Sequence, residues 1–167
     1  MMMNTIAVRL RGRISFNRTA ILAITLDQVS KLMVRIYIPF GSSMPENGFF
    51  RFTYIKNTGA LFGLFKGHMP LLITMSFVGM VAVLLCYFLF AYKWRSASIG
   101  LGLILGGAIG NQIDRLWRGH VTDFIDWGSW PVFNIADSSG VIGVAVIVFF
   151  LLFLYREKED SSSKQDE

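Results

Sequence analysis

Three runs of the chain carry no Lys, Arg, Asp or Glu: Gly67 to Tyr92, Ser96 to Ile113 and Ser138 to Tyr155. Each reaches the roughly 18 to 20 residues that an α-helix needs to cross about 30 Å of hydrocarbon. Lipid satisfies no backbone hydrogen bond, so such runs must be helical. The segment Thr19 to Phe40 is as long but contains Asp27, Lys31 and Arg35. A charge at mid-bilayer costs about 2.5 to 3.5 kcal/mol. The spacing offsets this cost, because positions 27, 31 and 35 share one helix stripe. Asp27 stands one turn before Lys31, the favourable order for an ion pair. Turned inward, the stripe leaves an apolar face for lipid. The pattern therefore predicts four spans, at 19–40, 69–91, 97–116 and 138–155. A cleaved signal peptide is the rival explanation of the first, but no small-residue cleavage site follows and Asp27 interrupts its apolar core.

Between the spans the pattern changes. In the 41–68 region Phe49, Phe50, Phe52, Tyr54 and Ile55 alternate roughly around Arg51 and Thr53, and Asn57-Thr58-Gly59 supplies turn chemistry. This predicts a small β-structure at the membrane surface, with a simple aromatic belt as the equal alternative for the phenylalanines. The 117–136 region cannot continue as one helix past Gly128 and Pro131. It joins two adjacent antiparallel spans, so residues near its ends must lie close together. In the third span Gly102, Gly106 and Gly110, with Gly107 beside them, form a ladder of small residues that lets another helix approach.

Composition fits a single membrane domain. Hydrophobic residues make up 53% of the 167, and mean hydropathy is +0.51. The net charge of +5 could suggest nucleic acid, but its distribution marks membrane sidedness instead. With the N-terminus inside, nine Lys or Arg fall in the 1–18 tail, the 93–95 loop and the 156–167 tail, against five in the two outer segments. Both termini are thus expected in the cytoplasm. The tail from Glu157 is polar and Ser-rich, which predicts disorder.

The chemistry narrows by exclusion. Cys86 is the single cysteine, lies mid-span without a basic partner, and reads as a small apolar residue. Two histidines, His68 and His120, do not suggest a zinc site, and no metal or other cofactor is expected. No serine has a nucleophile's setting, since Ser138 and Ser139 follow Asp137 where helix capping explains them. Aspartates remain: Asp27, Asp114, Asp123, Asp126 and Asp137. Two carboxylates held close share a proton near neutral pH, and such a pair hydrolyses a peptide bond without metal or covalent intermediate. Each candidate also has an ordinary role. Asp27 can pair with Lys31, Asp114 with Arg118 at i, i+4, Asp137 can cap the last span, and Asp123 and Asp126 can be solvated loop residues. A proton or ion transporter, built on Asp27, Lys31 and Arg35, and a non-catalytic scaffold are the competing functions.

Five strings in order resolve the choice. They are Asp27-Gln28-Val29-Ser30-Lys31, Asn57-Thr58-Gly59-Ala60-Leu61-Phe62, Gly106 through Arg115, Val121-Thr122-Asp123-Phe124 and Phe133-Asn134-Ile135-Ala136-Asp137. With them the chain resembles the lipoprotein signal peptidases (signal peptidase II) over nearly its whole length, leaving only the N-terminal extension and the acidic tail outside. The resemblance implies an all-α membrane protein of four transmembrane helices with a small outer β-sheet and a short surface helix. It implies an aspartyl endopeptidase of the bacterial inner membrane, monomeric, that cuts prolipoproteins before a diacylglyceryl-modified cysteine. Asp123 and Asp137 would then be catalytic. Asn57, Asn111, Arg115 and Asn134 would form the polar shell holding dyad and substrate, and Asp27 and Lys31 would support it from the first span. Membrane lipids, and no nucleic acid, would be the other partners.

Overall fold

The computed structural model describes residues 2–59, 65 and 67–163, without side-chain detail at 2–11, 92, 155 and 157–163. Its elements are helix α1 (Met2–Tyr37), strands β1 (Ser43–Met44) and β2 (Arg51–Asn57), helix α2 (Met69–Leu89), helix α3 (Arg95–Arg118), strand β3 (Val121–Asp126) and helix α4 (Ile135–Ser163). A 3-10 turn at Ala91–Lys93 links α2 to α3.

Helix α3 is the central element, packed on α1, α4 and α2. Its glycines explain how. A Cβ on Gly106 would lie 2.7 Å from the Ala20 carbonyl, and one on Gly110 would lie 2.5 Å from Asp27 Oδ2, both on α1. A Cβ on Gly107 would overlap the Ala136 carbonyl of α4, and Gly100 meets Gly143 backbone there at 2.8 Å. The small-residue ladder thus seats α1, while Gly100 and Gly107 admit α4, each helix close enough for backbone contact. Near the 3-10 turn an apolar cluster of Phe16, Met80, Tyr87, Ala91, Ala97, Leu101 and Leu105 closes the bundle, with Phe16 and Tyr87 stacked at 4.0 Å.

Helices α2, α3 and the 135–154 part of α4 are each long and apolar enough to cross a membrane. Helix α1 falls outside that group because of its charges. Those charges point inward: Asp27 and Lys31 are fully buried, whereas Ile21, Leu22, Leu26, Val29, Met33 and Ile36 are exposed.

The helix ends depart from expectation. The first helix is longer than the 19–40 span: α1 runs back through the 1–18 segment to Met2, and Phe16 within it is buried on Tyr87. Likewise α4 continues to Ser163 in place of a disordered tail from Glu157. Once a long helix is anchored by packing, each added residue gains a hydrogen bond without a new nucleus, and Arg156, Glu157, Lys158 and Glu159 are adequate helix formers. The expected short surface helix is absent among the described residues; the Ala60-Leu61-Phe62 portion of the second string lies outside them.

The outer β-structure is a three-stranded antiparallel sheet in the order β1-β2-β3. Ser43 pairs with Thr53, and Ile55 with Asp123. Between Phe52 and Ile55 the β2–β3 register shifts, so β2 carries one extra residue. That bulge lets the consecutive Thr53 and Tyr54 both turn inward, which a regular pleat forbids. Tyr54 joins Val34, Ile38 and Phe124 in a second core that fixes the sheet to the end of α1.

Candidate active site

The first turn of α4 is held by side chains rather than solvent. Asn134 is its N-cap: the Asp137 N–H donates to Asn134 Oδ1 at 2.9 Å, and the Asn134 N–H donates back to Asp137 Oδ2 at 3.3 Å. This is a reciprocal capping box. The Ala136 N–H donates to Asp27 Oδ1 across the bundle at 2.9 Å. Asp137 therefore caps as its sequence position suggested, yet its second oxygen, Oδ1, points away and accepts from Asn111 Nδ2 at 2.8 Å. An anion at this position also gains from the helix dipole.

Asp123 approaches the same place from β3. It is 2% exposed, so the solvated-loop alternative fails. Asn134 Nδ2 donates to its Oδ1 at 2.6 Å and Asn57 Nδ2 to its Oδ2 at 2.8 Å. Asn57 is itself fixed by an Asx turn, accepting from the Gly59 N–H at 2.8 Å. Burial and, after it, the neighbouring negative charge of Asp137 push the Asp123 carboxyl up to about 7, against the pull of the two asparagines. One residue, Asn134, thus bonds both carboxylates, and they sense each other electrostatically.

Beneath them lies a buried charge cluster. Lys31 Nζ contacts Asp27 Oδ2 at 2.8 Å, Asn111 Oδ1 at 2.9 Å and Asp114 Oδ2 at 3.4 Å. Asp114 also meets Arg35 at 3.7 Å and Arg118 at 3.5 Å, and it accepts the Thr122 N–H at 2.9 Å. Arg35 in turn donates to Thr122 Oγ1 at 3.1 Å. The expected Asp27–Lys31 and Asp114–Arg118 pairs both form. The contacts that carry them to the site, from Asp114 and Arg35 to the residue beside Asp123, were not expected. Burying such charges is costly unless each finds partners, and here the partners span α1, α3 and β3.

Asp126, the remaining candidate, is diverted. It is buried, not solvated, and accepts from Thr53 Oγ1 at 2.6 Å, Arg51 Nη2 at 2.8 Å and the Gly128 N–H at 2.8 Å. Although burial alone would raise it, these donors hold its carboxyl below the ordinary carboxylate range. It locks β2 to β3. Arg115 lies where Asp137, Asp123 and Asp114 all act on its guanidinium, and its Nε is buried without a hydrogen-bond partner among the described residues. Helix α3 ends just beyond, at Gly119, whose φ of 71° turns the chain towards β3.

Comparison with known proteins gives the family. The family model described as Signal peptidase (SPase) II matches residues 19–153. Proteins named lipoprotein signal peptidase are similar across most of the chain. That of Dehalococcoides mccartyi strain CBDB1 is 38% identical, covering 91% of this chain and 97% of that protein. That of Nostoc punctiforme is 41% identical, covering 95% and 100%. That of Halothermothrix orenii is 42% identical, covering 78% and 90%. A solved structure titled as a bacterial membrane enzyme at 2.3 Å resolution superposes with a TM-score of 0.75 at 33% identity, covering 80% of this chain and 85% of that one. The chain belongs to the signal peptidase II family.

Proposed function

We propose that the protein is an intramembrane aspartyl endopeptidase that removes signal peptides from prolipoproteins, cutting before the diacylglyceryl-modified cysteine, with Asp123 and Asp137 as its catalytic pair. The observation that carries the pair is their convergence on Asn134 from separate elements. Burial and the neighbouring negative charge of Asp137 push the Asp123 carboxyl up to about 7, so Asp123 is suited to hold a proton at neutral pH. Asp137, at the helix N-terminus, takes a proton from water as that water attacks the scissile carbonyl. Asp123 gives its proton to the carbonyl oxygen. The tetrahedral gem-diol collapses as the C–N bond breaks: the leaving amine takes the proton held by Asp137, and one diol hydroxyl returns a proton to Asp123 as the product carboxylic acid forms. Arg115, whose buried Nε lacks a hydrogen-bond partner among the described residues, is suited to hold the substrate backbone or a lipid headgroup.

Four spans with both termini in the cytoplasm follow from the same reading. The inward stripe of α1 and its exposed apolar residues support a first span, and the Lys and Arg bias supports the orientation. The dyad then sits near the outer face, between the sheet and the bundle. Helix α2 packs mainly on α3, and its exposed Met75, Val78 and Val81 line an apolar side suited to acyl chains. Every group named comes from one chain, so a monomer suffices. The test is cleavage of a diacylglyceryl prolipoprotein beside the same precursor without lipid. Efficient cleavage of the lipidated form alone is expected; equal cleavage of both would remove the lipid from the account.

A further inference from the structure

The dyad is surrounded by three asparagines, and an amide can present either its oxygen or its NH2. Each carbonyl oxygen here is occupied by a donor. Gly59 N–H fixes Asn57, and Asp137 N–H fixes Asn134. Both donors are backbone groups, so these two amides have no alternative, and their NH2 groups must face Asp123. Asn111 differs. Its Oδ1 receives Lys31 Nζ at 2.9 Å and Asn134 Nδ2 at 3.1 Å, and its Nδ2 reaches Asp137 Oδ1. An ammonium has three donors and no acceptor. Those three are directed at Asp27, Asp114 and Asn111, in a site where Lys31 is fully buried. A flipped Asn111 would set its NH2 against that cation and its oxygen against the Asp137 carboxylate.

We propose that Lys31 is a positioning residue of the reaction: with the fixed Asn134 amide it holds the Asn111 amide so that an N–H faces Asp137, keeping that carboxylate ready to accept a proton from water. This rests on the assignment of Asp123 and Asp137 as the dyad. Lys31 hydrogen-bonds neither carboxylate; its charge acts on Asp123 from a distance, and it reaches Asp137 through Asn111. Charge pairing with Asp27 and Asp114 is a second duty of the same group, and a purely structural role would need only that.

The experiment is a double-mutant cycle on cleavage of a lipidated precursor, with kcat, KM and the pH–rate profile measured for folded protein in detergent. Lys31→Met and Asn111→Ala are each expected to lower kcat about 10- to 100-fold, the worth of one hydrogen bond to a charged group. KM should move little. The acid limb of the profile should shift to higher pH in Lys31→Met, since an ionised dyad partner loses its donor. Combined, the two changes should cost no more than one alone. Additive losses, or a lowered kcat with an unshifted profile, would overturn the inference.

Two further variants cover the case in which Lys31→Met does not fold. Asp27→Asn/Lys31→Met removes one charge of each sign, and should show the same shifted limb. Asn111→Asp keeps Lys31 and presents oxygen to Asp137 in any orientation; wild-type rate and profile in that variant would also refute the lock. Failure of the dyad assignment looks different: Asp137→Asn itself would remain active.

Discussion

Replacing Gly107 by Ala tests whether the seating of α4 on α3 sets the dyad. The new Cβ would overlap the Ala136 carbonyl oxygen, and lie 3.2 Å from the carbonyl carbon and 3.4 Å from Gly140 N. All three are backbone atoms, so no side chain can rotate out of the way. Ordinary Cβ contacts start at 3.4 Å, and α4 must retreat by roughly an ångström to reach that distance. Overpacking of this kind costs about 1–3 kcal/mol, offset in part by up to about 1 kcal/mol from replacing a helical glycine. Asn134 and Asp137 ride on the displaced turn, whereas Asp123 stays with β3. A misplacement of about 1 Å in a catalytic geometry costs on the order of 100-fold in rate. The expected result is therefore a kcat about 100-fold down with a modest loss of thermal stability in detergent. Gly140→Ala, where a Cβ meets nothing within 4 Å, is the control and should leave both unchanged. A Gly107→Ala protein with wild-type kcat would refute the link between this contact and the site.

Two other outcomes are expected. Because the folded Asp123 titrates near 7 and an unfolded Asp near 3.8, folded protein binds more protons than unfolded between those values. The stabilisation is full below about pH 4 and is lost as pH rises through 7. Melting curves should show this slope in wild type and not in Asp123→Asn, and kcat/KM should fall on a basic limb near pH 7. Asp114→Ala leaves Lys31, Arg35 and Arg118 short of one anion and Thr122 N–H short of its acceptor. A loss of about 3–5 kcal/mol is expected on removing a partner from a buried ion cluster, read as a large drop in Tm or in folded yield.

Much of this arrangement was legible in the sequence because it is local. Runs without charge gave the apolar helices, and the spacing of four among Asp27, Lys31 and Arg35 gave an inward stripe and its ion pair. The glycines of α3 announced close approach, though not that two helices share it. What escaped was made of contacts between distant positions. Asp126 looked like a loop residue because Thr53 and Arg51 lie over 70 residues earlier. Asp114 looked complete with Arg118, one turn away, and its reach to Lys31, Arg35 and Thr122 depends on how α1 and β3 dock. Asp123 lay in a short stretch whose strand is held by distant partners: β2, the Asp114 carboxylate at Thr122 N–H, and the core around Phe124. The C-terminal end differs for the opposite reason: polar composition from Glu157 suggests a disordered tail, but an anchored helix propagates through good helix formers. The dyad itself came from the family resemblance, which chose two aspartates among five.

The proposed reaction requires Asp123 and Asp137 to act as one unit. The most direct test is single-turnover cleavage of a diacylglyceryl prolipoprotein by Asp123→Asn, Asp137→Asn and the double variant, with precursor binding measured alongside. Each single change should lower the rate by about 10²- to 10⁴-fold, the double change should cost little more, and binding should persist. Either single variant cleaving at the wild-type rate would contradict it.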